Sequence, residues 1–461
     1  MELPLIGVRP DPTLPWEDCN WYPVPQINAG KSEISMVGTP GLKRFADLGT
    51  NSEVRGGIEV DEFAYVVADN GFYLLNSAGV ETLIDGSTIL TSSGIVQMES
   101  NGLQIMFIDG LHGYIYTLST GVLARITDTD FLGASTLTYQ DGYFIISVPN
   151  TRQFFISDLY DGLTWSSIDY ALKEGWPDDI AAVMSDHREL WLLGDRSTEV
   201  WKDTGASSFP FQRLDGAFLE DGIGAPLSVA KTDESMIWMN SQRLFVKVAG
   251  GYTPSIVSSD ALSLEIARYS RVDDAVGFAY RMRGRSFYQV TFPTADRTFA
   301  LDVSAGVWHR RMSGNFGRHR ANCFFRAFSK NLVGDYQNGK IYEIDPFTYD
   351  EDGEEIRRIL TLPEVESPSG VDPVAHNRLT LYMKYGVGLD SGVQGSDPLI
   401  TLQWSNDSER TWRGNRTASI GKIGEYEIVA AWRRLGGAVR RSYRVTISDP
   451  VECIIHKAFL E

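Results

Sequence analysis

Apolar and polar residues alternate along most of the chain from about residue 56 onward. In EFAYVVADNGFYLLNSAG, residues 62–79, the alternation runs on both sides of Asn70-Gly71. An Asn-Gly pair is a strong signal for a two-residue hairpin turn, because both central residues of that turn need positive φ. The segment therefore predicts a β-hairpin that turns at Asn70-Gly71.

The same pattern of strand, turn and strand recurs along the chain. It is found in six further segments, residues 97–121, 137–158, 186–205, 233–251, 284–308 and 331–346. Units spaced by roughly 35 to 45 residues are typical of propeller blades of four short strands. The pattern predicts an all-β chain built around a β-propeller of six to seven blades, the number depending on whether the first and last units share one blade.

The two ends of the chain depart from this repeat. Six prolines within residues 10–40 interrupt any periodicity, so residues 1–55 are predicted to form an extended N-terminal arm. Residues 56–362 are then the propeller, and an acidic stretch rich in Pro and Gly marks its end. Residues 363–461 are predicted to form a smaller C-terminal β domain, and residues 262–272 carry the best helical pattern.

Charge and cysteine usage restrict the function. The formal net charge is −18, although residues 401–461 hold ten Lys or Arg against seven Asp or Glu. An acidic surface repels phosphate, which disfavours sequence-independent binding of duplex DNA. The three cysteines are far apart and odd in number, which indicates a reducing compartment rather than a disulfide framework. No run approaches the ~20 apolar residues of a membrane-spanning helix, and the first residues lack a secretory pattern.

Motifs with chemical associations are each better explained by structure. WSNDSERTW, residues 404–412, comes close to the turn-stabilising Asp-box of sialidase-type propellers, with Glu409 where glycine is expected. GKS within residues 28–33 lacks the first glycine of a phosphate-binding loop. YDEDGEE, residues 349–355, lacks the order of a calcium loop and predicts an exposed acidic turn. The six histidines never pair as a metal motif. No catalytic, cofactor-binding or metal-binding residue is therefore predicted.

The stretch AWRRLGGAVRRSYRVTISDP, residues 431–450, places five arginines on a predicted hairpin. Arginines displayed in this way suit bidentate pairing with carboxylates, and the rest of the chain has a large carboxylate surplus. A subunit with an acidic body and one basic edge can associate with copies of itself. A subunit interface is therefore predicted at Arg433, Arg434, Arg440, Arg441 and Arg444, and a plain solvated face stays open as the alternative.

Several segments, in their order and spacing, resemble the tail-hub or packaged-DNA stabilisation proteins of short-tailed bacteriophages. The resemblance spans nearly the whole chain. It is carried by NWYPVPQ (20–26), GTPGLKRFADLG (38–49), FFISDLYDGLTW (154–165), EGWPDDIAAV (174–183), ELWLLGDRSTEVWKDTG (189–205), FPFQR (209–213) and the closing AWRRLGGAVRRSYRVTISDPV (431–451).

This resemblance implies a structural virion protein, without enzymatic activity or cofactor, that is made in the cytoplasm of the host bacterium. It implies a homohexameric nozzle below the portal and its adaptor ring, which retains packaged DNA and attaches a tail needle and tailspikes or fibres. The acidic charge suggests that duplex DNA passes through the channel without specific binding. Two other classes remain open, a sialidase-like carbohydrate-active propeller and a peptide-binding propeller scaffold.

Overall fold

A computed structural model describes residues 1–6, 16–28, 31–206, 209–232, 235–314 and 317–461. Seven antiparallel sheets of four strands each, here called blades 1 to 7, follow one another along the chain. Blade 1 consists of Val54–Val60, Phe63–Ala68, Gly71–Leu75 and Glu81–Asp85. Blade 2 consists of Gln97–Ser100, Gln104–Ile108, Gly113–Thr117 and Val122–Arg125. Blade 3 consists of Thr136–Gln140, Tyr143–Ser147, Gln153–Asp158 and Asp161–Leu172.

The remaining blades repeat this order, and blade 7 takes its fourth strand from the N-terminal region. Blade 4 consists of Ile180–Asp186, Glu189–Gly194, Thr198–Asp203 and Phe211–Leu219, and blade 5 of Ala230–Lys231, Ser235–Met239, Phe245–Ala249 and Ser255–Ile256. Blade 6 consists of Val276–Met282, Arg285–Phe292, Arg297–Asp302 and Val307–Arg311. Blade 7 consists of Ala321–Ala327, Lys330–Asp335, Lys340–Asp345 and Gly41–Asp47. Two short strands, Asp350–Glu351 and Glu354–Glu355, extend blade 7.

The blades close into a ring. The first strand of each blade lies on the inside, and the first strand of blade 7 contacts that of blade 1. Strand Lys340–Asp345 pairs antiparallel with Gly41–Asp47, so that residues far apart in sequence complete the last blade. The structure is a β-propeller of seven blades, as the repeat pattern predicted.

Apolar side chains fill the space between neighbouring blades. Between blades 1 and 2, for example, the rings of Phe72 and Phe107 stack with their centres 5.3 Å apart, and both are fully buried. Similar clusters of buried residues join the other neighbouring blades. Burying such a side chain stabilises the fold by ~1.5–3 kcal/mol, so the apolar packing between neighbouring blades stabilises the propeller.

The predicted hairpin at residues 62–79 forms, but its turn lies one residue earlier than predicted. Ala68 pairs with Gly71, so Asp69 and Asn70 are the two loop residues. Asp69 has a φ of 53°, whereas Gly71 already belongs to the strand. A Cβ on Gly71 would lie 2.5 Å from the ring of Tyr73, so the glycine is required by packing rather than by the turn.

The C-terminal residues form a β-sandwich together with strands from the N-terminal region. One sheet contains Trp21–Asn28, Lys31–Gly38, Ile454–Leu460, Arg378–Met383 and Ala431–Arg433, and Glu2–Leu3 pairs with Ile454–Leu460. The other contains Arg358–Glu366, Arg440–Ile447, Leu399–Ser405 and Arg413–Ser419, while Val374–Ala375 pairs with Gly437–Ala438. Their shared core includes Trp21, Leu381, Tyr443 and Ile455.

Within the segment assigned to an extended arm, Trp21–Asn28, Lys31–Gly38 and Gly41–Asp47 therefore form strands that pair with other strands of the same chain. Pro23 and Pro25 are tolerated because Trp21–Asn28 is the outer strand of its sheet. Residues two apart in a strand direct their backbone nitrogens to the same side, so both prolines can face away from the partner strand. The domain boundaries at residues 55 and 362 stay predictions.

Regular helix is rare among the described residues. An α-helix spans Asp260–Ile266, with Ser259 as its N-cap accepting a hydrogen bond from the amide of Leu262. The helix begins two residues before the start of the predicted segment, residue 262, and ends six residues before its end, residue 272. The predicted segment was longer because the apolar pattern continues into the turn that follows the helix. A short 3-10 helix spans Pro226–Ser228. None of the described helices is long and apolar enough to span a membrane.

Candidate interaction surfaces

The five arginines predicted as an interface do not share one environment. Arg433, Arg434 and Arg440 are exposed, whereas Arg441 and Arg444 are buried, with 2% and 9% of their surface accessible. The difference follows from the strands. Arg441 and Arg444 lie in Arg440–Ile447, which is paired on both sides, whereas Arg433 ends the short strand Ala431–Arg433.

The buried side chain of Arg441 hydrogen-bonds to the backbone of the hairpin turn. Its Nη1 donates to the carbonyl of Leu435 at 2.7 Å, and Nη2 donates to that of Gly437 at 3.3 Å. Its Nε donates to Oδ1 of Asn406 at 2.7 Å. Because these acceptors belong to its own chain, Arg441 acts as a structural clamp on the turn.

Arg444 is stacked on a tryptophan from the Asp-box-like segment. Its guanidinium carbon lies 3.7 Å from the ring centre of Trp412, and the guanidinium forms an ion pair with Glu17. A cation–π contact contributes ~0.5–2 kcal/mol. The assignment of all five arginines to a subunit interface stays a prediction, but Arg441 and Arg444 already have partners within the chain.

A second tryptophan, Trp404, lies between two arginines. The guanidinium carbons of Arg416 and Arg441 are 5.6 and 5.8 Å from its ring centre. Arg416 Nη1 also donates to the carbonyl of Arg433 at 2.7 Å, which connects the two arginine-bearing strands. Gly414 has a φ of 75°, and a Cβ there would lie 2.3 Å from the Trp404 ring. The ring can therefore cover this strand only because residue 414 is glycine.

These contacts leave a group of exposed arginines at one edge of the sandwich. Strand Arg413–Ser419 is the last strand of its sheet, and its first five residues are exposed. We define the basic edge as the exposed side chains of Arg413, Arg416, Arg433, Arg434 and Arg440. The sequence analysis missed Arg413 and Arg416, because residues three apart in a regular strand face opposite sides. In the structure a register shift sets Arg416 opposite Leu402 and Arg413 opposite Trp404.

The Asp-box-like segment is a tight turn in the sandwich. Ser405 Oγ donates to Oδ1 of Asp407 at 2.7 Å, and the amide of Thr411 donates to the same oxygen at 2.8 Å. Hydrogen bonds from Thr411 and Ser405 hold the pKa of Asp407 well below its usual range. Glu409, where the motif expects glycine, has a φ of 72°. The motif is structural, as predicted.

An acidic surface lies on blades 3 and 4. A cleft of about 650 Å³ is lined by five aspartates, which we call the acidic rim: Asp141, Asp158, Asp161, Asp169 and Asp203. Burial raises the pKa of Asp169, and the nearby charge of Asp158 raises it further. One cation, Arg188, lies 3.0 Å from Asp141. The sequence analysis missed this cluster because its members come from one turn and three different strands.

The segment YDEDGEE was predicted to be an exposed acidic turn; residues 353–355 are exposed, but the prediction was wrong for Glu351. Glu351 is buried, and its Oε2 accepts a hydrogen bond from Arg320 Nε at 3.0 Å. Arg320 Nη2 lies 2.5 Å from Glu354. The segment is buried because Asp350–Glu351 runs beside strand Gly41–Asp47, a long-range pairing that no local pattern indicates. Gly30, the first residue of the GKS motif, lies outside the described residues.

The histidines occupy structural positions where the structure gives their partners. His376 Nδ1 lies 2.6 Å from the hydroxyl of Tyr443, and His456 Nδ1 lies 2.9 Å from Ser35 Oγ. His309 and His319 are buried. Within the described ranges, no group of three or more His, Cys, Asp or Glu side chains is placed to hold a metal ion.

Comparison with protein families decides the identity. A model described as bacteriophage P22 Gp10, beta-propeller, matches residues 2–349, and one described as bacteriophage P22 Gp10, beta-sandwich, matches residues 372–461. The chain belongs to the P22 Gp10 family. Members of the Gp10 family are structural tail hub and DNA-stabilisation proteins of the virion, so this chain is a phage tail component. Nothing favours the sialidase alternative.

No curated protein matches this chain. Among solved structures, BamB from Moraxella catarrhalis is 11% identical, with a TM-score of 0.42 over 74% of this chain and 97% of that one. The designed protein Ika8 is 8% identical, with a TM-score of 0.41 over 66% and 100%. The Pan2 WD40 domain of Neurospora crassa is 6% identical, with a TM-score of 0.40 over 66% and 96%. Similarity at this level carries no argument about function.

Proposed function

We propose that this Gp10-family chain assembles into a homohexameric nozzle below the portal and its adaptor ring, and acts there mechanically rather than as an enzyme. The observation that supports self-assembly is the basic edge, an exposed group of arginines on a chain whose net charge is −18. Such a surface attracts carboxylates, and copies of the same chain supply them. The number six comes from the family resemblance.

The charge also supports a role in handling DNA. Six copies carry a formal charge of about −108. If acidic faces line the channel, phosphates are repelled from the wall and duplex DNA passes without being bound. Retention of the packaged genome would then result from closure of the channel, and attachment of a needle and of spikes or fibres from the outer surfaces. Synthesis in the host cytoplasm agrees with three buried thiols that are not oxidised.

Two measurements test this proposal. Electron microscopy of the purified chain with its portal and adaptor should show a closed ring whose channel admits duplex DNA; dispersed monomers would refute the assembly. Titration of the isolated chain with duplex DNA at low salt should show no tight binding. A tight, strongly salt-dependent affinity would contradict the repulsive channel, because it would reveal phosphate contacts on the surface.

A further inference from the structure

The basic edge and the acidic rim belong to opposite sides of the molecule. The sandwich adjoins blades 6 and 7: the rings of Tyr22 and Phe287 have their centres 5.5 Å apart, and Asn20 Nδ2 donates to the carbonyl of Met312 at 2.9 Å. The acidic rim lies on blades 3 and 4. In a closed ring of seven blades, blade 3 is three blades away from both blade 6 and blade 7. The acidic rim therefore lies away from the blades that the sandwich contacts.

The basic edge is also an open sheet edge. Among the described residues, strand Arg413–Ser419 pairs only with Leu399–Ser405, so its outer side presents backbone donors and acceptors. An open edge invites pairing with another chain, and positive charges restrict which partners it accepts. Guanidinium groups bind carboxylates in a forked geometry, so an acidic surface is the partner that fits.

The acidic rim has further features of a contact surface. Strand Asp161–Leu172 is the outer strand of blade 3, and it bulges between the pairs Phe155–Tyr170 and Ser157–Trp165. Ile168 lies in this bulge and is 79% exposed, and Leu159 next to the cleft is 55% exposed. Large apolar side chains among aspartates combine contact area with a charge that selects the partner.

We propose that the basic edge of one copy binds the acidic rim of the next copy. This inference rests on the proposed self-assembly and names the two surfaces that carry it. The contact is head-to-tail, because each copy offers one surface to its neighbour on either side. Repetition of one head-to-tail contact generates a closed ring when the rotation between copies closes. The opposite placement of the two surfaces leaves both accessible after the first contact has formed.

A charge-swap experiment on the full-length chain tests this pairing. One variant, Arg413→Glu with Arg433→Glu and Arg434→Glu, leaves two arginines against three glutamates and makes the edge acidic. The other, Asp158→Lys with Asp169→Lys and Asp203→Lys, leaves two aspartates against three lysines and makes the rim basic. Arg416 is kept because it covers Trp404. We expect wild-type chains to assemble at low salt on the adaptor and portal. The apparent affinity of assembly of each variant alone should be at least about tenfold lower. An equimolar mixture of the two should assemble again, because every contact then joins opposite charges.

Matched controls carry the same charge changes at exposed positions elsewhere. Lys43→Glu with Arg125→Glu and Arg357→Glu, and Glu62→Lys with Glu81→Lys and Glu355→Lys, should assemble like the wild type. Thermal unfolding of every variant shows whether the fold is kept. If the wild type assembles and both swap variants also assemble alone, or their mixture is not restored, the pairing is refuted while self-assembly stands. If the wild type itself never assembles, the proposed function fails.

Discussion

Arg320 Nε donates to Oε2 of Glu351 at 3.0 Å, and both side chains are buried where blade 7 meets the start of the sandwich. The same arginine contacts the hydroxyl of Tyr342 at 3.2 Å. Burial raises the pKa of Glu351, while the charge of Arg320 opposes that rise. The buried carboxylate of Glu351 therefore depends chiefly on Arg320, whose guanidinium also pairs with Glu354.

Arg320→Met should lower the free energy of unfolding by about 3–5 kcal/mol, because it leaves the Glu351 carboxylate buried without its cation. Urea unfolding measures this loss. Arg188→Met is the control, since it removes an exposed ion pair with Asp141 and should cost at most about 1 kcal/mol. Equal effects of the two substitutions would show that the buried pair does not hold the junction.

The unfolding free energy should fall in acid because of His309. Burial, together with the nearby charge of Arg311, lowers the pKa of this imidazole to about 3. The unfolded chain binds the proton near the usual pKa of about 6.5, so this contribution is complete above that pH and is lost as the pH falls toward 3.

Urea unfolding of the wild type and of His309→Asn, compared between pH 6 and pH 4, measures the contribution of this side chain. The wild type should lose about 1.4 kcal/mol more stability per pH unit than the variant. His187→Asn, at an exposed position, is the control and should keep the wild-type slope. Identical slopes for all three proteins would show that His309 stays protonated in the fold.

Gly414→Ala should destabilise the sandwich more than Gly424→Ala does. Both glycines have positive φ, 75° and 85°, so both alanines pay a similar backbone penalty of about 1 kcal/mol. Only at residue 414 would the new Cβ meet the Trp404 ring, whereas nothing lies within 4 Å at residue 424. Thermal unfolding of the two variants isolates this contact, and equal melting temperatures would argue against the stacked position of Trp404.

The propeller and the sandwich should unfold together. Strand Lys31–Gly38 pairs with Ile454–Leu460 in the sandwich, and strand Gly41–Asp47 closes blade 7 only three residues later. Only Thr39 and Pro40 separate these two strands, so unfolding of either domain disturbs the end of a strand that belongs to the other. Hydrogen exchange should therefore give amides of Lys340–Asp345 and of Ile454–Leu460 the same opening free energy in the most protected class. Two clearly separated values would show independent domains.

Much of the propeller could be predicted from the sequence because its blades are made of local hairpins. Alternation and short turns specify each sheet from adjacent residues, as in the pairing of Val54–Val60 with Phe63–Ala68. The position of a turn is less certain, since Gly71 is required by the Tyr73 ring and not by the loop. The closure of blade 7 by Gly41–Asp47 spans about three hundred residues and leaves no local signal.

The interaction surfaces, too, could be predicted only in part from the sequence. The sequence by itself determined that the chain is acidic overall, that arginines concentrate near its C-terminal end, and that its ordered segments resemble phage tail hubs. Only the tertiary structure decided that Arg441 and Arg444 turn inward while Arg413 and Arg433 face solvent. It also decided that Asp141, Asp203 and the three aspartates of residues 158–169 meet on blades 3 and 4. The physical reason is that charge is a property of each residue, whereas exposure depends on which strands pair and on what packs above them.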